Sequence, residues 1–131
     1  MVTEIMYKTY RYRIYPDDKQ LEMINKIYGC QRFVYNYYLT CAKENGNCSS
    51  RDNIRDFNRN LKCKYPFLSE VDGMFIRKIL FKLEDDIRDA KRKGDFPKYK
   101  RKNDKNSFVI NKSYSNIGFD FNKKVVLLPV L

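Results

Sequence analysis

The N-terminal residues alternate between apolar and charged positions. In YKTYRYRIYP, Tyr10, Tyr12 and Ile14 fall on one side of an extended chain, and two arginines fall on the other. A period of two among residues that favour strands predicts a β-strand. Pro16 would end this strand, because proline has no amide hydrogen to contribute to a sheet.

The spacing of apolar residues becomes helical after Pro16. DDKQLEMINKIYG begins with acidic capping residues, and Gly29 is suited to end a first helix there. CQRFVYNYYLTCAKENG carries a second apolar stripe, which Gly46 would close. Two helices joined by a short glycine turn predict a helix-turn-helix.

Two further helices are predicted before the chain changes character again. The third begins at Ser50 and stops before Pro66, and the fourth begins at Ser69 or Glu70 and runs to Gly94. Beyond it, the segments SFVIN, NIGFDF and KVVLLPV predict short strands separated by turn residues. The pattern therefore predicts an α+β fold, with about four helices between a first strand and a set of later strands.

Charge points to a polyanionic partner. The 131 residues include 27 Lys and Arg against 16 Asp and Glu, a net charge of +11, while 43% apolar residues favour a folded core. Nucleic acid is the commonest partner of so basic a folded protein. No run approaches the roughly 20 apolar residues of a membrane span. The N-terminus is too polar for a secretory signal, so a cytoplasmic protein is expected.

The residues that usually carry chemistry are scarce. Histidine is absent, which removes the commonest general base. The four cysteines are scattered without a C-x-x-C pair, so we expect reduced thiols rather than a zinc site. No cofactor and no metal are predicted. The cysteines are Cys30, Cys41, Cys48 and Cys63.

A dense basic run, FPKYKRKNDKNSF, follows the fourth predicted helix. Its cations can neutralise phosphates, and its tyrosine offers a ring on which a base can stack. A solvated basic linker is the alternative explanation. The candidate binding residues are Lys98, Tyr99, Lys100, Arg101 and Lys102.

Several motifs, in order, resemble the N-terminal part of the TnpB (OrfB) proteins encoded by bacterial transposons. They are YKTYRYRIYP with its helix and GCQRFVYN, then YPFLSEVDG, FPKYKRK, and SFVI with SNIGFDFNKKVVLLPV. That family comprises RNA-guided DNA nucleases related to type V CRISPR effectors, in which base pairing reads the target sequence. The resemblance implies a helical bundle inserted between strands of a small, incomplete wedge-like β-barrel. It divides the chain into a first wedge strand (1–16), a helical recognition lobe (17–94), and a basic loop with the remaining wedge strands (95–131).

The resemblance also implies sites for nucleic acid beyond FPKYKRK, which in the family lies next to it. The outward face of the first strand, which carries Lys8, Arg11 and Arg13, would contact RNA or keep a sheet edge soluble. Two residues of GCQRFVYN, Arg32 and Asn36, would either contact nucleic acid or hold the first two helices together. The fourth helix contributes Arg77 and Lys78, and the loop before NIGF contributes Ser113, Tyr114 and Asn116. Both regions fall where family members approach the duplex motif beside the target. These candidates are Lys8, Arg11, Arg13, Arg32, Asn36, Arg77, Lys78, Ser113, Tyr114 and Asn116.

The chain departs from the family pattern where the nuclease would follow, because the RuvC-type acidic residues come after the last strand motif. Acidic residues do cluster in the fourth helix, but basic neighbours three and four positions away explain them as exposed ion pairs. We therefore expect no catalytic residue and no enzyme activity. The cluster comprises Glu84, Asp85, Asp86 and Asp89, with Arg88, Lys91 and Arg92 as partners.

Three functional hypotheses follow. The leading one is a nuclease-deficient TnpB-like module that grips structured guide-type RNA, duplex DNA beside the target, or both, alone or with a missing nuclease half. The second is a regulator that blocks a full-length nuclease or a CRISPR effector by occupying its RNA or protein surface. The third is a helix-turn-helix repressor that binds DNA as a symmetric dimer.

Overall fold

A computed structural model describes Tyr7 and residues 9–46 and 49–109, together with the backbone of residues 118–120 and 125–127. The described residues form a helical bundle and one short strand pair. In chain order the elements are helix α1 (Asp18–Asn45), helix α2 (Ser50–Asp56), a π-helical turn (Phe57–Leu61), helix α3 (Lys62–Lys64), a 3₁₀ turn (Pro66–Glu70), helix α4 (Gly73–Arg92), and strands β1 (Gly118–Asp120) and β2 (Val125–Leu127).

Helix α1 is closed at both ends by local hydrogen bonds. The Asp17 carboxylate accepts from the Gln20 amide at 2.8 Å, and the Gln20 side chain accepts from the Asp17 amide at 3.0 Å. This reciprocal capping box satisfies two amides that the helix itself leaves free. At the other end Gly46 adopts φ 70°, and its amide donates to the Ala42 carbonyl at 2.7 Å. The prediction that Gly46 ends this helical region is confirmed.

The predicted turn at Gly29 is wrong, because α1 continues through it as one helix of 28 residues. The physical reason is an apolar stripe that keeps its helical phase across the glycine. Ile24 and Ile27 precede it and Val34 follows, and all three are buried. Glycine inside a helix weakens it by only about 1 kcal/mol relative to alanine, so packing of a continuous stripe prevails.

Gly29→Ala is expected to raise the free energy of unfolding by about 0.5–1 kcal/mol, because alanine loses less backbone entropy in a helix. An added Cβ would meet nothing closer than the Arg32 guanidinium at 4.0 Å. Urea unfolding followed by circular dichroism would measure the change. Gly46→Ala is the matched control and should destabilise the protein, since φ 70° strains any residue with a side chain. Destabilisation by Gly29→Ala would contradict a continuous helix.

Helices α1 and α4 run parallel, and the chain between them returns along both. Near the start of α4, the Gln31 side-chain amide donates to the Phe75 carbonyl at 3.2 Å. Near its end, Lys91 donates to the carbonyl of Gly46, the residue after α1, at 3.0 Å. Contacts thus occur in the same order along both helices. We call Ser50–Lys64, which comprises α2, the π-helical turn and α3, the return rod. The core between these three layers includes Ile27, Val34, Leu39, Phe57, Leu61, Leu68, Phe75, Leu80, Leu83 and Ile87.

The helices after α1 agree with the predicted stripes, with one shifted start. The return rod begins at Ser50 and ends before Pro66, as predicted. Helix α4 begins at Gly73 rather than at Ser69 or Glu70. Its N-cap is Asp72, whose carboxylate accepts from the Met74 amide at 2.8 Å. The preceding residues form the 3₁₀ turn, which buries Leu68.

The predicted α+β fold with a wedge-like β-barrel is wrong. Residues 9–17 contain no strand, and residues 107–109 of the predicted SFVIN strand have no regular structure. The strand structure of the described residues is limited to β1 and β2, paired antiparallel with Phe119 opposite Val126. An alternating pattern forms a strand only where a neighbouring strand completes its hydrogen bonds, whereas a helix satisfies its own backbone.

Two other properties of the described residues bear on function. No helix among them is long and apolar enough to cross a membrane. The cysteines at 30, 41 and 63 are free thiols, as the sequence predicts.

Candidate nucleic-acid interface

The basic run after α4 lies along the groove between α1 and α4. We call residues 96–108 the basic strap. The Asn36 amide of α1 holds it at the centre: its nitrogen donates to the Lys100 carbonyl at 2.9 Å, and its oxygen accepts from the Lys100 amide at 2.8 Å. Asn36 therefore has a structural role. It anchors the strap, however, and does not join two helices of a helix-turn-helix as the sequence suggested.

Aromatic residues anchor the far end of the strap. The Phe108 ring lies 5.5 Å from the Tyr28 ring and 5.1 Å from the Phe75 ring, centroid to centroid. The Arg32 guanidinium donates to the Asn106 side chain at 3.3 Å. The strap is thus a fixed surface layer of the bundle, and Arg32 is part of its attachment.

Tyr99 is bound to α1 and remains 41% exposed. Its hydroxyl lies 3.0 Å from the Thr40 hydroxyl, and the Lys43 ammonium lies 4.3 Å from its ring centroid. A cation near an aromatic ring is favourable, so Lys43 already uses part of the surface that the sequence assigned to a stacked base.

Lys100 differs from its basic neighbours because its ammonium points into the bundle. It lies 4.7 Å from the centroid of the Tyr35 ring. The Tyr35 hydroxyl donates to Asp86 at 2.7 Å, and Lys82 lies 3.3 Å from the same carboxylate. Burial first, and the nearby charge of Lys82 second, lower the pKa of Lys100 below its ordinary value. Lys100 is therefore a packing residue, half-buried against Tyr35, unlike its exposed basic neighbours in the strap.

The remaining cations of the strap are exposed. Within the described part of the chain, no carboxylate lies within ion-pair distance of their side chains. The nearest acidic residue, Asp104, accepts instead from the Arg101 backbone amide at 2.8 Å, so it closes a local turn. The sequence analysis did not single out Lys105, although this residue lies in the same basic run. The exposed cations are Lys98, Arg101, Lys102 and Lys105.

A second basic surface, which the sequence analysis did not single out, lies on the solvent side of the return rod. Four cations recur at helical spacing, and none has an ion-pair partner among the described residues. Asn58 lies among them and is also exposed. These cations could have been recognised from the sequence, because they occupy the helix positions that the apolar stripe at Ile54, Phe57 and Leu61 leaves to the opposite face. We call this surface the rod stripe; its cations are Arg51, Arg55, Arg59 and Lys62.

The return rod also carries two acidic residues: Asp52 is exposed in the first turn of α2, and Asp56 is half-buried. Asp56 accepts from the Tyr38 hydroxyl at 2.7 Å and from the Asn60 amide at 2.8 Å. Burial, followed by the bond to Asp56, raises the pKa of Tyr38 far above its usual range. The Asp56 carboxylate therefore joins the rod to α1, and the four cations of the rod stripe outnumber the one exposed carboxylate of the rod, Asp52.

The other predicted site residues are not gathered into one surface. Arg11 and Arg13 are exposed on the irregular N-terminal segment, and Arg77 is exposed near the start of α4. Lys78 is half-buried on the same helix. The candidates Lys8, Ser113, Tyr114 and Asn116 lie outside the described residues.

The acidic cluster of α4 consists mainly of ion pairs, as predicted. Asp85 lies 2.7 Å from Arg88, and Asp89 lies 4.0 Å from Arg92. Glu84 has a different role: it accepts from the Ser50 amide at 2.8 Å at the start of α2. Hydrogen bonds from the Ser50 side chain first, and from the Ser50 amide second, lower the pKa of the Glu84 carboxyl. Among the described residues, no group of His, Cys, Asp or Glu side chains is arranged to hold a metal ion.

Part of the chain matches a known protein family. Residues 6–48, about a third of the chain, match the family model of the helix-turn-helix domain of OrfB from IS605-type elements. The match covers the N-terminal segment and α1, and it ends before the return rod and the strap. No curated protein and no solved structure matches the chain.

Proposed function

We propose that this chain is a nucleic-acid-binding module that cuts no nucleic acid itself, because residues 6–48 match the family model of the helix-turn-helix domain of OrfB from IS605-type elements. The ligand is structured guide-type RNA, duplex DNA beside the target of such a guide, or both. The matched family model describes a DNA-binding type of module, although residues 18–45 form one continuous helix in this chain. A net charge of +11 favours either polyanion.

The observation that carries the proposal is the docked strap with its exposed cations. Lys98, Arg101 and Lys102 are held on a fixed surface and have no carboxylate partner among the described residues. Unpaired cations on an ordered surface bind phosphates and release the counterions condensed on nucleic acid. A solvated linker would instead be expected to lie free of the bundle, without the Asn36 anchor.

The rod stripe supports duplex DNA as one ligand. A helix with its side chains is about 10–12 Å wide, and the major groove of B-DNA is about 12 Å wide. Arginine binds guanine edges and asparagine binds adenine edges, and both residue types line the rod stripe. The C-terminal half of α1 is a poor recognition helix by comparison, because Val34, Tyr38 and Leu39 are buried. This disfavours a repressor that inserts that helix into DNA.

The proposal assigns no cleavage to these residues. The carboxylates of α4 are engaged in ion pairs, in the cap of α2 and in the bond to Tyr35. Two-metal cleavage needs carboxylates free to hold the ions. We therefore expect no magnesium-dependent cleavage of single- or double-stranded DNA by the repurified chain.

The test is to purify the chain from its host without nuclease treatment, sequence the bound nucleic acid, and measure its affinity at several salt concentrations. A discrete structured RNA or a defined duplex, with affinity falling steeply with salt, is the expected result. Recovery of a stoichiometric nuclease or CRISPR effector without nucleic acid would favour the regulator hypothesis. A preparation that carries no nucleic acid and binds none at low salt would overturn the proposal.

A further inference from the structure

We propose that the irregular N-terminal segment is a separate binding site for unpaired bases of single-stranded nucleic acid. Residues 9–15, called here the tyrosine segment, include tyrosines and arginines that the bundle leaves exposed. The inference rests on the proposed function for its ligand class, nucleic acid. It adds a third surface, formed by other residues than the strap and the rod stripe, for a different form of nucleic acid.

Two tyrosine rings of this segment are already arranged as stacking surfaces. The rings of Tyr10 and Tyr12 are nearly parallel, with 18° between their planes and 6.2 Å between their centroids. Two nearly parallel and exposed rings at neighbouring positions offer faces on which successive bases of a single strand can stack.

These rings are available because nothing in the described structure covers them. Tyr10 is 67% exposed and Tyr12 is 74% exposed. Tyr15 and Tyr7 are exposed at 83% and 91%. Large aromatic side chains are usually at least half-buried in a folded protein, so several exposed together indicate a contact surface.

The positive charge of the tyrosine segment indicates which kind of ligand binds it. Arg11 and Arg13 alternate with the stacked tyrosines, and no acidic residue occurs between Glu4 and Asp17. Arg13 also lies 5.9 Å from the centroid of the Tyr15 ring. Rings for bases, interleaved with cations for phosphates, are the arrangement by which proteins hold single strands without sequence preference.

The alternative partner is a β-sheet of another chain, to which the tyrosine segment would add as an edge strand. Such a sheet would bury the tyrosine rings against apolar residues and would give the arginines no partner. The alternation of cation and ring therefore favours the single strand. The two occupants differ in a measurable way, because a base interacts with the ring whereas a sheet interacts with the backbone.

The experiment compares Tyr10→Leu/Tyr12→Leu with Tyr10→Phe/Tyr12→Phe in the full chain. Leucine keeps an apolar side chain and removes the ring, whereas phenylalanine keeps the ring and removes the hydroxyl. Because both positions are exposed, both variants should keep the wild-type unfolding midpoint. The probes are a 12-mer of deoxythymidine, a 12-mer of uridine, and a DNA duplex of random sequence.

We expect the leucine variant to bind at least one of the single strands about 10- to 100-fold more weakly, with the salt slope unchanged, because a stacked base releases no counterion. Its duplex affinity should equal that of the wild type, and the phenylalanine variant should bind all three probes as the wild type does. Weaker binding confined to the uridine strand would assign RNA, and equal weakening on both strands would show that the sugar is not recognised.

Three results would overturn the inference while leaving the proposed function intact. They are a leucine variant with wild-type affinity for both single strands, a phenylalanine variant as weak as the leucine variant, or a wild-type chain that binds the duplex and neither strand. The first of these together with slow amide exchange of residues 9–15 in an oligomer would identify a partner sheet. A wild-type chain that binds none of the three probes would also overturn the inference, and one that in addition binds no structured RNA would overturn the proposed function itself.

Discussion

Alanine at Lys98, Arg101 and Lys102 together is expected to weaken binding of duplex DNA by about 100- to 1,000-fold near 0.1 M salt. Each phosphate contact contributes about 0.9 to the slope of log affinity against log salt, so three contacts should lower that slope by about 2.7. The unfolding midpoint should hardly change, since all three side chains are exposed. Fluorescence anisotropy at four or more salt concentrations measures both the affinity and the slope.

The matched control removes three positive charges that are already paired. Lys26, Arg88 and Arg92 each lie within 4.0 Å of a carboxylate. Alanine at these three positions gives the same net charge as the strap variant, and it should leave the slope nearly unchanged. An equal loss in both variants would show that net charge alone attracts the polyanion and that the strap is no binding site.

The largest expected effect on stability comes from Phe75→Ala, which should lower the free energy of unfolding by about 3–5 kcal/mol. The ring is 1% exposed, packs in the core, and also supports Phe108 of the strap. Small domains have only about 5–15 kcal/mol of stability in total, so the unfolding midpoint should fall steeply. Urea unfolding followed by circular dichroism would show it.

Phe81→Ala on the same helix is the control for the residue type. Its ring is 52% exposed, so removing it should change the free energy of unfolding by less than about 1 kcal/mol. Similar losses in the two variants would contradict the orientation of α4 against α1. A loss of nucleic-acid affinity in Phe81→Ala at unchanged stability would instead reveal a contact on the open side of α4.

The sequence alone was sufficient where the deciding interaction is local. The stripe that includes Phe75 and leaves out Phe81 could be recognised from its period, because residues three and four apart share a helix face. The caps of the bundle were predictable to within a few residues for the same reason, since each involves neighbours such as Asp17 and Gln20. The basic run could also be recognised as a candidate binding surface from its composition.

Gly29 shows where two local signals conflict. As a residue it favours a helix end, but the apolar period continues across it, and the structure follows the period. The alternation before Pro16 failed for a different reason. A strand requires a neighbour, and nothing within that segment indicates whether one is present.

Only the tertiary structure distinguished the cations of the strap from one another. Lys98, Lys100 and Lys102 are equivalent in the sequence, yet the Asn36 amide fixes the strap so that Lys100 alone turns inward onto Tyr35. Asn36 and Lys100 are 64 positions apart, and no spacing rule links residues at that distance. Composition and period thus determined which residues carry charge and which helices form. The packing of distant segments decided which charges face the solvent, because burial is a property of neighbours in space.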